Sequence, residues 1–417
     1  IVNNGIENHA MPGCQILAAK DGNVFFNKSF GNHTYDSSSK KVENSDIYDL
    51  ASITKIASSA LILMQLESAN RFSVDSTLGY YLPEILDSTE YKNLVLKEIL
   101  THQAGLASWI PFYIKTLNDG MPSYELYSKL PSNIHQSLVA KNLYMLSSYR
   151  DTIFERILST DINKNKKYKY SDVGYYFINE IIKKITFNSQ DLIAENIYSK
   201  IGLQNIGYNP LNKWDLNRIT PTENDTFFRH QLIHGYVHDQ GAALLGGVGG
   251  HAGLFSNAND LAVIMQMYLN KGTYGGDTIL NSDIIEKYTS SPYYNSNKNR
   301  SYSQKVHLSV IYRYKFYKEP KSPSFRNSRS NGLDFFWTVY LSMRVADEFR
   351  TNPLSLSPGG SVVTVVFSDG RMLDYDKVKS PKKYVASIPT RDDITAVYVN
   401  GNQVWTDKEE TKYWDDI

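Results

Sequence analysis

Strand patterns lie at both ends of this chain, and helical patterns lie between them. Near the start, the apolar runs Gln15–Ala19 and Val24–Phe26 are joined by Lys20-Asp21-Gly22-Asn23, which is typical of a β-hairpin. Further strand patterns follow late in the chain at Val362–Phe367, Lys383–Ile388, Ile394–Val399 and Gln403–Trp405. We therefore predict an α/β (α+β) fold in which an antiparallel sheet, built from the first hairpin and the C-terminal strands, is flanked by helices and joined by a helical subdomain over about 53–290.

The middle of the chain carries apolar residues at helical spacing. The predicted helices span 53–68, 94–101, 136–158, 173–185, 190–200 and 258–270. Asn257 suits the N-cap of the last of these helices. Six glycines from Gly241 to Gly253 predict a tight passage with an exposed backbone.

Ser52 and Lys55 are three residues apart at the start of the first long helical pattern. A serine hydroxyl needs a base beside it to act as a nucleophile, and residues i and i+3 share one face of a helix. The same Ser-x-x-Lys spacing occurs at Ser37–Lys40, Ser38–Lys41 and Ser380–Lys383, but only Ser52 opens a long helical stretch. Ser52 is therefore a candidate nucleophile with Lys55 as its base, and the alternative interpretation is a helix N-cap.

An acyl-enzyme needs a second group that moves protons to the leaving group and from water. Tyr170-Ser171-Asp172 stands directly before a helical pattern and can supply a phenol at a loop-to-helix boundary. The alternative interpretation is a tyrosine that only packs, because similar Tyr-x-Asn patterns recur in the chain. Gly-x-Ser-x-Gly, the signature of an α/β-hydrolase, is absent.

Charge and composition exclude several classes of function. The 44 Lys and Arg against 43 Asp and Glu give a formal charge of +1, so no global field attracts nucleic acid or a membrane surface. The lone cysteine, Cys14, excludes an internal disulfide and a cysteine-cluster metal site. No apolar run reaches the length of a membrane span. The chain begins at Ile1 without a methionine, which suggests a processed or excised piece.

Three histidines have a spacing that could suit metal ligands. His230, His234 and His238 recur every fourth residue, which on a helix would align three ligands. Gly235 interrupts the run and no glutamate completes a His-Glu-x-x-His site, so we expect no metal. The predicted chemistry requires neither a metal nor an organic cofactor. His102 follows a predicted helix end and is expected to be a hydrogen-bonded structural residue.

The chain changes character near residue 291. Residues 291–330 are rich in Lys and Arg, with serines, prolines and tyrosines between them. Such a stretch could touch nucleic acid, but a solvated linker or loop is the favoured interpretation. We predict a module over 1–290, a basic linker or loop over 291–330, and a divergent β-rich segment over 331–417 that could complete the sheet. Trp337 and Trp405 leave a carbohydrate-binding role open for this last segment.

Several stretches match one known family in the expected order over about residues 1–290. They are Pro12–Cys14, Tyr48–Lys55, Tyr81–Glu84, Ile99–Leu106, Tyr170–Tyr175, Ile201–Leu203, and Val237–Asp239 through Gly250–Ser256. Together they resemble the serine β-lactamase and penicillin-binding protein superfamily, particularly its class C-like esterase and D,D-peptidase branch. The resemblance implies a β-lactamase/transpeptidase-like fold and a place in the cell envelope, periplasmic or secreted. It is closest to a subgroup found fused to family 3 glycoside hydrolases, which implies a linked N-terminal glycosidase domain.

The resemblance also implies roles for the matching residues. Ser52 would be the nucleophile, Lys55 the amine that activates it, and Tyr170 the second general base. Asp172 stands where many members have asparagine, and it replaces an amide donor with an acceptor-only group. This change should weaken recognition of an acylamino carbonyl, which argues against a true β-lactamase.

The third family motif, [His/Lys]-[Ser/Thr]-Gly, has no match after residue 256. His251-Ala252-Gly253 is its nearest match, so His251 and Gly253 join Asp172 as expected substrate-binding residues. By order in the chain, however, this stretch aligns with the family's glycine-rich segment. Ser357–Ser361 precedes a strand pattern and could occupy the position of the motif, but it lacks the cation.

We predict a serine hydrolase that acts through an acyl-enzyme on an ester or amide, such as a D-amino-acid peptide of the cell wall or a small ester. The backbone amide of Ser52 would form half of the oxyanion hole. The alternative is a catalytically impaired binding module of the same family, attached to a cell-wall glycosidase. The missing third motif favours this alternative, because one lost oxyanion donor costs about 10²–10³ in rate.

Overall fold

The computed structural model describes residues 2–289 and five later strands. The helices are α1 (Val2–Glu7), α2 (Ala60–Ser68), α3 (Leu78–Tyr81), α4 (Pro83–Leu86), α5 (Leu96–Leu100), α6 (Tyr149–Leu158), α7 (Val173–Thr186), α8 (Gln190–Lys200), α9 (Gln240–Leu244), α10 (Ala258–Leu269) and α11 (Ser282–Thr289). The strands are β1 (Gly13–Lys20), β2 (Asn23–Gly31), β3 (Tyr48–Asp49), β4 (Leu117–Asn118), β5 (Met121–Pro122), β6 (Tyr127–Ser128), β7 (His135–Ala140), β8 (Leu143–Leu146), β9 (Ile206–Tyr208), β10 (Glu223–Asp225), β11 (Gln231–Ile233), β12 (Leu254–Ser256), β13 (Thr273–Tyr274), β14 (Asp277–Thr278), β15 (Trp337–Ser342), β16 (Ser361–Phe367), β17 (Met372–Val378), β18 (Ile394–Val399) and β19 (Asn402–Thr406). Across these ranges, no helix is long and apolar enough to cross a membrane.

The first hairpin forms as predicted. β1 and β2 pair antiparallel from Gly13 opposite Gly31 to Lys20 opposite Asn23. Asp21 and Gly22 make the turn with φ values of 51° and 77°. Two successive positive φ angles define the type I′ turn, whose twist matches that of the flanking strands.

The hairpin becomes part of a three-stranded antiparallel sheet with the order β15-β1-β2. β15 pairs with β1 from Cys14 opposite Ser342 to Ala19 opposite Trp337. β15, which was not among the predicted strands, therefore lies beside the N-terminal hairpin, whereas those predicted strands after residue 361 that the structure describes pair with one another in a separate sheet. The predicted class, helices combined with antiparallel sheets, is confirmed.

A buried glutamine connects this sheet to the helices. The Gln15 side chain in β1 is fully buried and donates to the carbonyl oxygens of Glu43 and Asp46, at 2.7 and 2.8 Å. Its Oε1 atom accepts a hydrogen bond from the backbone N–H of Ala258 at 2.9 Å, at the start of α10. Burial of an amide is tolerated here because the donor and the acceptor are both satisfied.

The helical core is built around α7. Most of its apolar side chains are buried, including Tyr175, Phe177, Ile178, Ile181 and Ile182. Gly174 allows α5 to approach, since a Cβ atom at this position would lie 2.3 Å from Cγ2 of Ile99. Close packing thereby fixes α7 against its neighbours. The position of the residues directly before α7 is fixed with it.

The predicted helix over 136–158 is wrong in its first half. Residues 135–146 form the hairpin of β7 and β8, with Leu138 opposite Tyr144, and the helix α6 begins at Tyr149. Asn142 adopts φ 53° at the turn, a conformation that asparagine tolerates better than most residues. A short apolar run fits both helical and strand spacing, and a turn without glycine gave no signal to separate them.

The remaining helix predictions agree with the structure more closely. The predictions over 173–185, 190–200 and 258–270 are confirmed as α7, α8 and α10, while α5 is shorter than 94–101. Asn257 caps α10, since its Oδ1 atom accepts a hydrogen bond from the N–H of Asp260 at 2.9 Å. The prediction over 53–68 corresponds to three successive pieces: a 3₁₀ turn at Ala51–Ile53, a π-helical turn at Lys55–Ser59, and α2.

The chain divides into two compact units, residues 1–347 and 348–417. The strands described in the second unit form an antiparallel sheet with the order β17-β16-β18-β19. Three strand predictions, Val362–Phe367, Ile394–Val399 and Gln403–Trp405, are confirmed, and β17 was not predicted. The predicted strand Lys383–Ile388, the whole basic stretch 291–330 and residues 357–360 lie outside the described residues. The division into 1–290, 291–330 and 331–417 stays a prediction.

Candidate active site

Ser52 lies in a 3₁₀ turn that follows the short strand β3. β3 pairs with β12, which brings Asp49 opposite Phe255. The Oδ1 atom of Asp49 accepts a hydrogen bond from the N–H of Ala51 at 2.7 Å, and Ala51 has a left-handed φ of 44°. A non-glycine residue rarely adopts this conformation, so the turn before Ser52 is held by its surroundings.

Lys55 opens the π-helical turn, and its side chain is completely buried. Its Nζ atom donates to Oγ of Ser52 at 2.9 Å and to the carbonyl oxygen of His251 at 3.2 Å. The same Nζ atom lies 2.6 Å from Oδ1 of Asp172, which is an ion pair. The ammonium is therefore surrounded by three partners from three separate segments of the chain.

Tyr170 reaches the same serine from the segment before α7. Its phenol donates to Oγ of Ser52 at 2.9 Å. Nζ of Lys55 lies 5.0 Å from the centre of the Tyr170 ring and 5.3 Å from that of Tyr175. The structure thus brings an ammonium and a phenol within hydrogen-bonding distance of one hydroxyl, although Tyr170 is 118 residues from Ser52 in sequence.

Electrostatics favour the charged form of Lys55. Burial alone would lower the pKa of Lys55, but the charge of Asp172 and the phenol of Tyr170 outweigh burial and raise that pKa above its ordinary value. Asp172 therefore holds Lys55 as an ammonium, which can donate to Ser52 and stabilise negative charge near it.

Asp172 is the N-cap residue of α7, and 19 % of its side chain is exposed. Its backbone N–H donates to the carbonyl oxygen of Ser108 at 2.9 Å, and the hydroxyl of Ser171 donates to the carbonyl oxygen of Ala107 at 2.6 Å. Because the Asp172 side chain is partly exposed, the Lys55–Asp172 pair is open to solvent on one side. Ser52 and Tyr170 are also only half-buried. The cluster formed by Ser52, Lys55, Tyr170 and Asp172 is therefore accessible from solvent.

Substrate binding by His251 and Gly253 stays a prediction, and the structure shows what each residue contacts. The imidazole of His251 is buried, lies 2.8 Å from Oδ1 of Asp239 through Nε2, and stacks on Tyr176 with ring centres 4.7 Å apart. What His251 contributes at Ser52 and Lys55 is its backbone carbonyl. Gly253 has φ 117°, and a Cβ atom there would lie 2.2 Å from the carbonyl oxygen of Gly247, so backbone packing requires this glycine.

Sequence reasoning missed the two aspartates that hold the backbone around the cluster. The carboxylate of Asp239 pairs with His251 and accepts a hydrogen bond from the N–H of Ala242, which caps α9. Burial alone would raise the pKa of Asp239, but its interactions with His251 and with the N–H of Ala242 hold it well below the ordinary value. Asp49 accepts a hydrogen bond from the N–H of His238 at 2.7 Å, and burial raises the pKa of Asp49. An aspartate directly before a helix was a usable signal for the Asp239 cap.

A buried polar network lies behind Lys55. The Ser59 hydroxyl donates to the carbonyl oxygen of Gly250 at 2.6 Å, next to the His251 carbonyl that contacts Lys55. The amide of Gln190 donates to the hydroxyls of Ser58 and Ser59 at 3.1 and 2.9 Å. Helix α8 and the glycine-rich segment therefore both fix the π-helical turn.

The three evenly spaced histidines do not share a helix face, because β11 occupies part of the run. Nε2 of His230 contacts the carbonyl oxygen of Gly120, Nε2 of His234 contacts that of Ile219, and His238 pairs with Glu223 at 2.9 Å. Among the residues that the structure describes, no group of three His, Cys, Asp or Glu side chains is arranged to hold a metal ion.

The structure of EstCE1, a hydrolase with promiscuous acyltransferase activity, aligns with a TM-score of 0.50 at 15% identity, over 70% of this chain and 75% of that one. This likeness shows a shared fold. The model of the family described as Beta-lactamase matches residues 1–311, so the chain belongs to the Beta-lactamase family and its fold is of the β-lactamase/transpeptidase-like class.

Two relatives illustrate the similarity within the family. A protein of Escherichia coli K12 with the provisional name D-alanyl-D-alanine carboxypeptidase is 31% identical over 305 residues, which is 67% of this chain and 65% of the relative. The N-acetylmuramyl-L-alanine amidase of Bacillus subtilis 168 is 28% identical over 304 residues, 67% of this chain and 64% of the relative. The chain thus spans slightly less than two thirds of the length of these relatives.

Proposed function

We propose that this protein is a serine hydrolase that forms an acyl-enzyme on Ser52. The observation that carries the proposal is the convergence on Oγ of Ser52 of the Lys55 ammonium and the Tyr170 phenol, each at 2.9 Å. A nucleophile within hydrogen-bonding distance of the groups that activate it is the arrangement that covalent catalysis requires.

The positions of the three groups support a sequence of proton transfers. In the reactive form, the phenolate of Tyr170 accepts the proton of the Ser52 hydroxyl while Oγ attacks the substrate carbonyl carbon. The Lys55 ammonium stabilises the negative charge, and the backbone N–H of Ser52 donates to the oxyanion. Tyr170 then gives the proton to the leaving group as the bond between the carbonyl carbon and that group breaks.

Release of the acyl group follows the same route in reverse. A water molecule gives a proton to Tyr170 and attacks the acyl carbon, and the proton returns to Ser52 as the ester bond breaks. Since the ion pair with Asp172 raises the pKa of Lys55, the ammonium stays charged through both steps. The proposal therefore gives Lys55 an electrostatic role and Tyr170 the role of acid and base.

We propose that the substrate is an ester or an amide, and that the natural substrate is a D-amino-acid peptide. The name of the E. coli relative supports a cell-wall peptide and that of the B. subtilis relative a cell-wall amide. Asp172 argues against an acylamino β-lactam, because its carboxylate can only accept hydrogen bonds. A cell-envelope location and a linked glycosidase domain belong to the same proposal.

Covalent labelling tests the proposal directly. The full chain is incubated with a fluorophosphonate probe and, separately, with a fluorescent penicillin. We expect fluorophosphonate labelling of the wild type, none of Ser52→Ala, and undiminished labelling of Ser37→Ala, which alters another Ser-x-x-Lys sequence. Equal labelling of wild type and Ser52→Ala would reject Ser52 as the nucleophile.

The second candidate is a binding module with impaired catalysis. The absence of a [His/Lys]-[Ser/Thr]-Gly motif after residue 256 favours it. It predicts that a D-alanyl-D-alanine peptide binds without being cleaved and that neither probe labels Ser52. Calorimetric titration of the peptide, followed by product analysis, separates the two candidates.

A further inference from the structure

The mechanism proposed above does not use His102, a buried histidine beside Tyr170. His102 directly follows Thr101, the residue that ends α5, and only 4% of its surface is exposed. Its backbone has a left-handed φ of 59°. A buried polar ring on a strained backbone costs free energy, so the contacts of the ring and backbone must offset that cost.

These contacts hold the residues directly before and directly after Tyr170. The carbonyl oxygen of His102 accepts a hydrogen bond from the N–H of Lys169 at 2.8 Å, and its Nδ1 atom accepts one from the N–H of Ser171 at 3.1 Å. The imidazole lies against the phenol ring between them, with ring centres 4.3 Å apart. One residue thus holds the backbone before Tyr170, the backbone after it, and the ring itself.

The direction of the Ser171 hydrogen bond defines the state of the imidazole. A backbone N–H can only donate, so Nδ1 must act as the acceptor and carry no proton. What Tyr170 requires from His102 is therefore an acceptor at the Nδ1 position, on a residue that adopts a left-handed backbone.

We propose that His102 is a positioning residue that holds the phenol of Tyr170 at Ser52. The inference rests on the proposed function for its effect on rate, but its effect on the placement of Tyr170 is independent of that function. Proton transfer depends on the distance between phenol and serine, and a displacement of 1 Å in an active site can cost about 10²-fold.

Two substitutions separate the acceptor from the backbone. Asparagine places Oδ1 the same number of bonds from Cα as Nδ1 of histidine, and it tolerates a left-handed φ. Glycine tolerates that φ but has no acceptor. His102→Asn and His102→Gly therefore differ in the hydrogen bond to Ser171, and thermal unfolding checks that each variant is folded.

The first measurement is the rate of Ser52 labelling by the fluorophosphonate, with steady-state hydrolysis of p-nitrophenyl acetate. We expect His102→Gly to lower the labelling rate and kcat by about 10²-fold with little change in KM, and His102→Asn to recover most of the loss. A folded His102→Gly variant that labels at the wild-type rate overturns the proposal. A folded His102→Asn variant that labels about 10²-fold more slowly than the wild type overturns the role of the acceptor, and this comparison can be made even if His102→Gly does not fold.

The second measurement follows Tyr170 without using activity. With 3-fluorotyrosine at position 170, we expect one sharp ¹⁹F resonance in the wild type and His102→Asn, and a shifted or broadened one in His102→Gly. If wild-type Ser52 is not labelled, the proposed hydrolase fails while this spectrum still decides the positioning. Identical spectra in all three proteins overturn it.

Discussion

Lys55 and Arg229 are both cations with completely buried side chains, and each is paired with an aspartate. Nε of Arg229 lies 2.8 Å from Oδ2 of Asp225, and its two terminal nitrogens donate to the carbonyl oxygens of Val237 and His238. Asp225 is as buried as its partner and accepts two more hydrogen bonds, from the N–H groups of Phe227 and Phe228. This ion pair is closed on all sides.

The pair of Lys55 and Asp172 has the same charges but a different boundary. Asp172 is partly exposed, and one of the ammonium partners is the half-buried hydroxyl of Ser52. Removing one member of a closed pair leaves a charge that water cannot reach, whereas an open pair can exchange its partners with a substrate. Enclosure, rather than the ion pair itself, therefore distinguishes the structural pair of Arg229 from the pair of Lys55, for which we propose a role in catalysis.

The largest effect is expected when the ammonium is removed from the open pair. Lys55→Met should lower the rate of fluorophosphonate labelling by about 10³-fold, because the charge that stabilises the developing negative charge is lost. Labelling kinetics measure this effect, and denaturant unfolding shows how far stability changes. A variant that labels within tenfold of the wild type would contradict the assigned role of Lys55.

The same substitution in the closed pair should act on stability. Arg229→Met leaves the Asp225 carboxylate buried without its cation, so we expect the free energy of unfolding to fall by about 3–5 kcal/mol. Urea unfolding measures the loss, and the labelling rate of the remaining folded protein should be close to that of the wild type. A loss below 1 kcal/mol would show that the pair is not closed.

The closed pair of Arg229 and Asp225 also predicts how the loss of stability in Arg229→Met depends on pH. Burial alone would raise the pKa of Asp225, but the Arg229 guanidinium and the N–H groups of Phe227 and Phe228 hold it below the ordinary value. A carboxylate whose pKa is lowered by folding stabilises the folded protein fully at pH values above its pKa in the unfolded chain, which is about 3.9 for aspartate. This stabilisation is lost as the pH falls through the pKa of the folded protein. The stability gap between wild type and Arg229→Met should therefore be full at pH 7 and narrow in acid.

A smaller effect is expected from neutralising the aspartate of the open pair. Because Asp172 raises the pKa of Lys55, Asp172→Asn should lower that pKa and move the alkaline limb of the kcat/KM profile to lower pH. A hydrogen bond to a charged group contributes about 1.5–3 kcal/mol, so we expect a loss of about tenfold to 10²-fold in kcat/KM for esters. The new amide donor should also increase labelling by fluorescent penicillin.

The matched control for this experiment is Asp225→Asn. It neutralises the aspartate of the closed pair, so it should reduce stability without moving the pH profile of the folded protein. A profile that moves equally in both variants would mean that the alkaline limb reports unfolding instead of the ionisation of Lys55.

The smallest effect is expected outside both pairs. Asn257→Ala removes the side-chain cap of α10 and should lower the free energy of unfolding by about 1 kcal/mol, with no change in the labelling rate. Thermal unfolding monitored by circular dichroism gives the comparison with Arg229→Met. A loss as large as that of Arg229→Met would indicate that enclosure of charge is not the reason for the difference.

Local signals predicted those parts of the fold that local interactions determine. Asp21-Gly22 indicated the first hairpin and Asn257 the start of α10, because each residue acts on its own turn. The hairpin of β7 and β8 was missed because Asn142 makes its turn without glycine. The π-helical turn was also missed, because its extra residue is stabilised by Ser59 and Gln190, which contact remote segments.

The candidate site shows the same division. The spacing of Ser52 and Lys55 is local and could be found directly, whereas Tyr170 depended on the resemblance to a family. The contacts of His102 with the Tyr170 segment and of Asp239 with His251 join segments that are distant in sequence. Such contacts produce no periodic pattern in a single chain, so only the folded structure reveals them.

The π-helical turn has a consequence for changes in chain length. The N–H of Ala60 donates to the carbonyl oxygen of Lys55, five residues earlier, so this turn holds one residue more than an α-helical turn. Deleting one residue from 56 to 59 would let the turn close as a regular α-helical turn and leave Lys55 at nearly the same angle to the buried face of α2, because the π-helical hydrogen bond already takes up one extra residue. Inserting a residue would instead rotate Lys55 by about 100° relative to that face. We therefore expect this segment to tolerate the loss of one residue better than the gain of one.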